Sequence, residues 1–116
     1  MCDHESIRTL MGNLTTEDLA PAIREHNRVT PDEMAYFVRN ELKAYLEYYE
    51  SDDPDDIFQF LSHLKWCLLA CTRDPQNYQF VNQDDELLEI NFDELEAYVL
   101  CEAILRAFIK VRALSI

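Results

Sequence analysis

The chain has 116 residues, 48% of them hydrophobic, enough for one buried core and too few for a second domain of ordinary size. Its formal net charge of −13, from 23 acidic and 10 basic residues, argues against direct contact with nucleic acid or anionic membranes and favours basic partners. The single glycine, Gly12, excludes a glycine-rich phosphate loop and disfavours an all-β fold with many tight turns.

At the start of the chain, the polar stretch "CDHES" stands where the apolar run of an export signal would begin. Together with Cys2, Cys67, Cys71 and Cys101, this predicts a cytoplasmic protein with reduced thiols. A short helix is expected over His4 to Met11, ended by Gly12. A second is expected from Thr16 to about Asn27, shortened or bent by Pro21.

Thr30-Pro31-Asp32-Glu33 is a capping box with proline at the first helical position, and it opens a helix from Pro31 to about Glu50. At about 100° per residue, Met34, Val38, Leu42, Tyr45 and Tyr49 share its apolar face, which Phe37 and Tyr48 widen. Glu41 falls inside that face and reads as a rim carboxylate or one satisfied by a tyrosine hydroxyl. Asp53-Pro54-Asp55-Asp56 repeats the grammar, with Asp53 as cap and acids in the first turn. The helix it opens should run to about Thr72, burying Ile57, Phe60, Leu61, Leu64, Cys67, Leu68 and Cys71, with Trp66 on the far side.

From Arg73 to Asn91 the connection is long for a helical protein. "YQFV" and "LLEI" bracket "NQDDE", which suggests a small β-hairpin; a short helix over Gln83 to Ile90 competes with it. Asn91-Phe92-Asp93-Glu94 is a third cap, opening a helix to near Leu114. Glu102, Arg106 and Lys110 form one charged strip on that helix, with a Glu102–Arg106 pair, and nearly everything else on it is apolar. Such a helix is central to its fold or shared with another copy of the chain. The expected architecture is all-α: one domain over residues 1–116, a compact four- to five-helix bundle with a small β-hairpin or short helix in the 73–91 connection.

Chemistry is sought and mostly not found. No EF-hand spacing and no Glu-x-x-His pair is present. His63, Cys67 and Cys71 climb one side of a helix and Cys101 could join from the last one, so these four are weak metal candidates. The competing reading is core cysteines with a rim histidine. No catalytic residue, resident metal or cofactor is expected, and an enzyme is disfavoured.

Charge distribution carries the remaining signal. Asp32 to Asp56 holds nine acids against two bases and Asp84 to Glu96 seven against none, each a net −7. These segments nominate Glu47, Glu50, Asp52, Asp53, Asp55, Asp56, Asp84, Asp85, Glu86 and Glu89 as a partner-binding surface. The expected function is a small acidic binding regulator (an adaptor, inhibitor or immunity-type protein) that docks on a basic protein surface. One alternative is a nucleic-acid mimic that occupies a DNA- or RNA-binding protein. The other is a structural homo-oligomer, a homodimer through the 92–114 helix, whose acidity serves solubility.

Overall fold

Capping chemistry sets the frame. In a computed structural model that describes Leu14, residues 16–48 and residues 56–114, Thr30 and Glu33 close a reciprocal box at the start of a long helix. The Glu33 N–H donates to Thr30 Oγ1 at 3.1 Å, and the Thr30 N–H donates to Glu33 Oε1 at 3.0 Å. The helix it opens, α2, covers Pro31–Tyr48. Before it come one helical turn, α1 (Thr16–Leu19), and a 3-10 turn at Ala20–Ala22. The expected helix to Asn27 therefore ends early. Pro21 has no N–H to continue the ladder, so the chain tightens into a 3-10 turn and leaves at Ile23 in extended backbone. The expected helix at His4–Met11, the cap at Asp53 and Tyr49 lie outside the described residues.

Helix α3 spans Asp56–Arg73, and α4 spans Glu94–Leu114. Each runs antiparallel to the one before it. The Tyr45 hydroxyl donates to Gln59 at 3.3 Å and Glu41 meets His63, so α2 and α3 pass in opposite directions. The Phe92 N–H donates to Thr72 Oγ1 at 3.0 Å, while the Cys101 thiol reaches the Leu61 carbonyl at 3.5 Å. That pair of contacts reverses α4 against α3. α1 packs against α2 and α4, and the 3-10 turn against α4.

Phe60, Leu64, Leu68, Met34, Leu42, Leu100 and Ile104 are fully buried where the three long helices meet. Sealing each such side chain from water is worth about 1.5–3 kcal/mol before chain entropy is set against it. The apolar faces fall where their spacing puts them, with two corrections: Tyr48 is 79% exposed rather than part of the α2 face, and Cys67 is only half-buried. Tyr48 sits in the last turn of α2.

Between α3 and α4 the chain forms a hairpin, and the competing helix over 83–90 is not observed. Strands β1 (Phe80–Val81) and β2 (Leu87–Leu88) pair antiparallel, Phe80 opposite Leu88 and Val81 opposite Leu87. Phe80 stacks on Phe37 of α2 with ring centroids 4.2 Å apart, which docks the hairpin on the helices. The molecule is thus mostly helical with a two-stranded sheet, and not a clear bundle of the expected kind.

Within the Asn91–Glu94 cap of α4, Asp93 holds the first turn, its Oδ1 accepting from the Glu96 N–H at 2.7 Å. Asn91 is engaged from far away instead: its N–H donates to Asn27 Oδ1 at 2.6 Å. The Asn27 amide in turn donates to the buried Glu96 carboxylate at 2.9 Å, and His26 Nε2 stands 3.1 Å from the same oxygen. This network pins the 23–30 loop to the start of α4.

Candidate functional site

The best-built exposed feature is the turn of the hairpin. Residues 83–85 form a three-residue loop whose last member, Asp85, has φ 59°, the left-handed position such loops require and that aspartate tolerates. Asn82 organises the loop from below. Its buried Oδ1 accepts from the Asp84 N–H at 2.9 Å and the Glu86 N–H at 3.0 Å. Its Nδ2 donates to Glu33 Oε2 at 3.0 Å. Asp84, Asp85 and Glu86 are therefore presented to solvent on a fixed scaffold beside the α2 N-terminus.

The hairpin also contributes to an aromatic strip. Trp66 on α3 meets Tyr78 edge-on at 5.1 Å, and His63 stacks against Trp66 at 6.4 Å. Trp66, Tyr78 and Leu87 are 53%, 41% and 63% exposed, unusual for side chains of this size unless something covers them. Tyr78 and Leu87 line one groove of about 240 Å³, with Pro75 and Cys71 at its floor and Glu89 on its edge. Between Tyr78 and Glu89 the chain carries four acids and no base.

The two acidic segments touch at the beginning of α2, but the nominated acids Asp84–Glu86 and Glu47 lie far apart. Asn82 holds Asp84–Glu86 against Glu33 at the beginning of α2. Glu47 is exposed near the other end of that helix, about 21 Å farther along at about 1.5 Å per residue. Glu50, Asp52, Asp53 and Asp55 lie outside the described residues, as does the side chain of Asp56. Glu89 joins the groove lined by Tyr78 and Leu87. Sequence reasoning missed Asn82, Tyr78 and Leu87. Their roles depend on a turn type and on the register between hairpin and helix, which only the folded chain defines.

The four metal candidates also separate. Cys71 is buried in the core, and Cys101 is buried with its thiol donating to the Leu61 carbonyl. His63 and Cys67 do face each other, with Nε2 3.4 Å from Sγ, and the third group beside them is Glu41, whose Oε2 lies 3.6 Å from the same Nε2. Burial pushes the Cys67 thiol up to about 12, helped by the neighbouring Glu41 carboxylate and by Cys71. Cys71 and Cys101 are each raised to about 11, chiefly by burial. None of the three is poised as a nucleophile at neutral pH.

Glu33 moves the other way. The Thr30 N–H and then the Asn82 amide hold its carboxyl below the usual glutamate range. Elsewhere, α3 and α4 leave a groove of about 380 Å³ bordered by Phe58, Leu61, Tyr98 and Leu105. No described helix is long and apolar enough to cross a membrane. No protein-family model, no curated protein and no solved structure matches this chain.

Proposed function

We propose that the protein is a small acidic binding regulator that docks on a basic protein segment through the hairpin tip and the aromatic strip. One observation carries the reading: a single hairpin presents the exposed acids Asp84, Asp85 and Glu86 at its tip and Tyr78, Leu87 and Glu89 around one groove, with Trp66 edge-on against Tyr78. Aromatic anchors inside a charged rim are the usual makings of an interface hot spot. The carboxylates would speed encounter with a basic partner and select against acidic ones. A rigid turn suits this role, because groups fixed before binding lose little freedom on contact.

A nucleic-acid mimic is the weaker form of this proposal. It asks for a continuous row of carboxylates, and among the described residues Glu47 stands at the far end of α2 from Asp84–Glu86.

The test uses the untagged protein coupled to a support, with Trp66→Ala/Tyr78→Ala and Asp84→Asn/Asp85→Asn/Glu86→Gln as matched baits. The proposal expects one basic protein retained by the wild type, released by moderate salt and missing from both variants. Retention unaffected by either variant sinks it.

A second reading, self-association, rests on the α3–α4 face. Leu95, Tyr98 and Ile109 are each more than half exposed, and with Leu105 they lie along one side of α4 in steps of three, seven and four, Glu102 standing in the gap. Phe58, 55% exposed, stands across the groove. Such a seam suits packing against the same seam of a second copy.

A further inference from the structure

We infer that Glu41, His63 and Cys67 form a binding site for one divalent transition-metal ion of the zinc class, with a coordination position left open to solvent. One carboxylate oxygen, one imidazole nitrogen and one sulfur, from two antiparallel helices, all lie within 4.8 Å of one another. His63 and Cys67 are one turn apart on α3 and face the same way, and Glu41 is brought opposite by the pairing of α2 with α3.

The separations fit a metal. Zinc takes nitrogen and oxygen at roughly 2.0–2.2 Å and sulfur at roughly 2.3 Å, so the edges of a tetrahedral set are roughly 3.3–3.6 Å long. Here Nε2–Sγ is 3.4 Å and Nε2–Oε2 is 3.6 Å. The third edge, from the carboxylate to Sγ, is within 4.8 Å, so the carboxylate closes by up to about 1.3 Å to complete the set.

Hydrogen bonding alone leaves the cluster at odds with itself. A single imidazole nitrogen, Nε2, faces both a carboxylate oxygen and a thiol. As a donor to Glu41 it cannot accept the thiol proton; as an acceptor of the thiol proton it brings its lone pair near the carboxylate. A cation placed among the three satisfies all of them at once. Its two positive charges would balance one carboxylate and one thiolate, the Cys67 proton passing to solvent as the Sγ–metal bond forms.

The donor set narrows the ion. Imidazole and thiolate disfavour magnesium and calcium and suit zinc, cobalt and copper. Exposure places the open position: the His63 side chain is 48% exposed and that of Glu41 29%, while Cys67 is half-buried on the core side. Stacking on Trp66 holds the His63 ring in place and sets the site at the edge of the aromatic strip. Three protein ligands and one free position make a site that could take water or a donor atom from another molecule. This inference stands apart from the docking proposal and survives its failure.

The experiment titrates the reduced, untagged, metal-free chain anaerobically with Co(II), then with Zn(II). One cobalt per chain is expected, with a sulfur-to-cobalt charge-transfer band in the near ultraviolet and the intense visible bands of tetrahedral Co(II), all removed by one equivalent of zinc. Cys67→Ser should lose the charge-transfer band, His63→Gln should weaken binding roughly tenfold or more, and Cys101→Ser should keep both band and stoichiometry. Because His63 is half exposed, its variant keeps the fold, which circular dichroism checks. The inference is overturned if no sulfur-to-cobalt band appears, or if the band persists unchanged in Cys67→Ser or in His63→Gln.

Discussion

The Asn82 amide donates to the Glu33 carboxylate at 3.0 Å, so the turn of the hairpin and the cap of α2 share one acceptor group. Glu33 thus serves Thr30 with one oxygen and Asn82 with the other. Asn82→Ala removes that link and the side-chain acceptor for two turn amides. A buried network that loses a member costs on the order of 1–3 kcal/mol. Urea denaturation should show a loss of that size, and hydrogen exchange at Asp84 and Glu86 should speed up. Unchanged exchange at both amides would refute the account of how the tip is held.

Glu33 also sets a pH dependence. Its folded value lies below the usual 4.5, first through the Thr30 N–H and then through Asn82. A depressed carboxyl contributes stability that is complete above the unfolded value and is lost as pH falls through the folded one. Between about pH 6 and about pH 3 the wild type should lose more stability than Glu33→Gln. Parallel curves would show that the shift does not matter to folding.

The thiols titrate in the opposite sense. Cys67 at about 12 and Cys71 and Cys101 at about 11 stand above the ordinary thiol value of 9.0. Their contribution is intact below 9.0 and is lost as pH rises from there through the folded values. At about pH 8 the thiolate fraction of Cys67 is on the order of 1,000-fold below that of a free thiol. Labelling of these cysteines in the metal-free protein should be slow and should accelerate with denaturant. Fast labelling of Cys67 in buffer would contradict the burial assigned to it.

Local chemistry was readable before folding and distant chemistry was not. Thr30 and Glu33 lie three residues apart, so their box could be read directly. The Asn91–Glu94 cap could be read too, but not that Asn27, sixty-four residues away, takes the Asn91 N–H. His63 and Cys67 announced themselves by one-turn spacing, whereas their partner Glu41 depends on the register between α2 and α3, and the expected partners Cys71 and Cys101 turned into the core. Acidic composition marked the hairpin tip. Composition does not say which acids converge, and the Asn82–Glu33 tether puts the tip at the far end of α2 from Glu47.

Self-association makes its own prediction. Tyr98 and Ile109 are 58% and 57% exposed on one side of α4, so charging them leaves the core intact. If that side is a seam, Tyr98→Glu/Ile109→Glu should shift sedimentation from dimer to monomer with thermal stability of the monomer unchanged. A wild type that sediments as a monomer at high concentration excludes the seam.

Salt should separate the two parts of the docking surface. Asp84, Asp85 and Glu86 act at range, so neutralising them as Asn, Asn and Gln should mainly slow association with a basic partner and flatten its salt dependence. Trp66 and Tyr78 act on contact. Trp66→Ala should mainly speed dissociation, by roughly 30-fold or more for a 2 kcal/mol anchor. Trp66 is half exposed and packs edge-on against Tyr78, so its loss costs the fold little while removing the largest apolar surface on offer. Binding kinetics measured across a salt series should therefore show the acidic variant changed in on-rate and the aromatic variant in off-rate. Two variants with the same kinetic signature would mean that tip and strip do not form one surface.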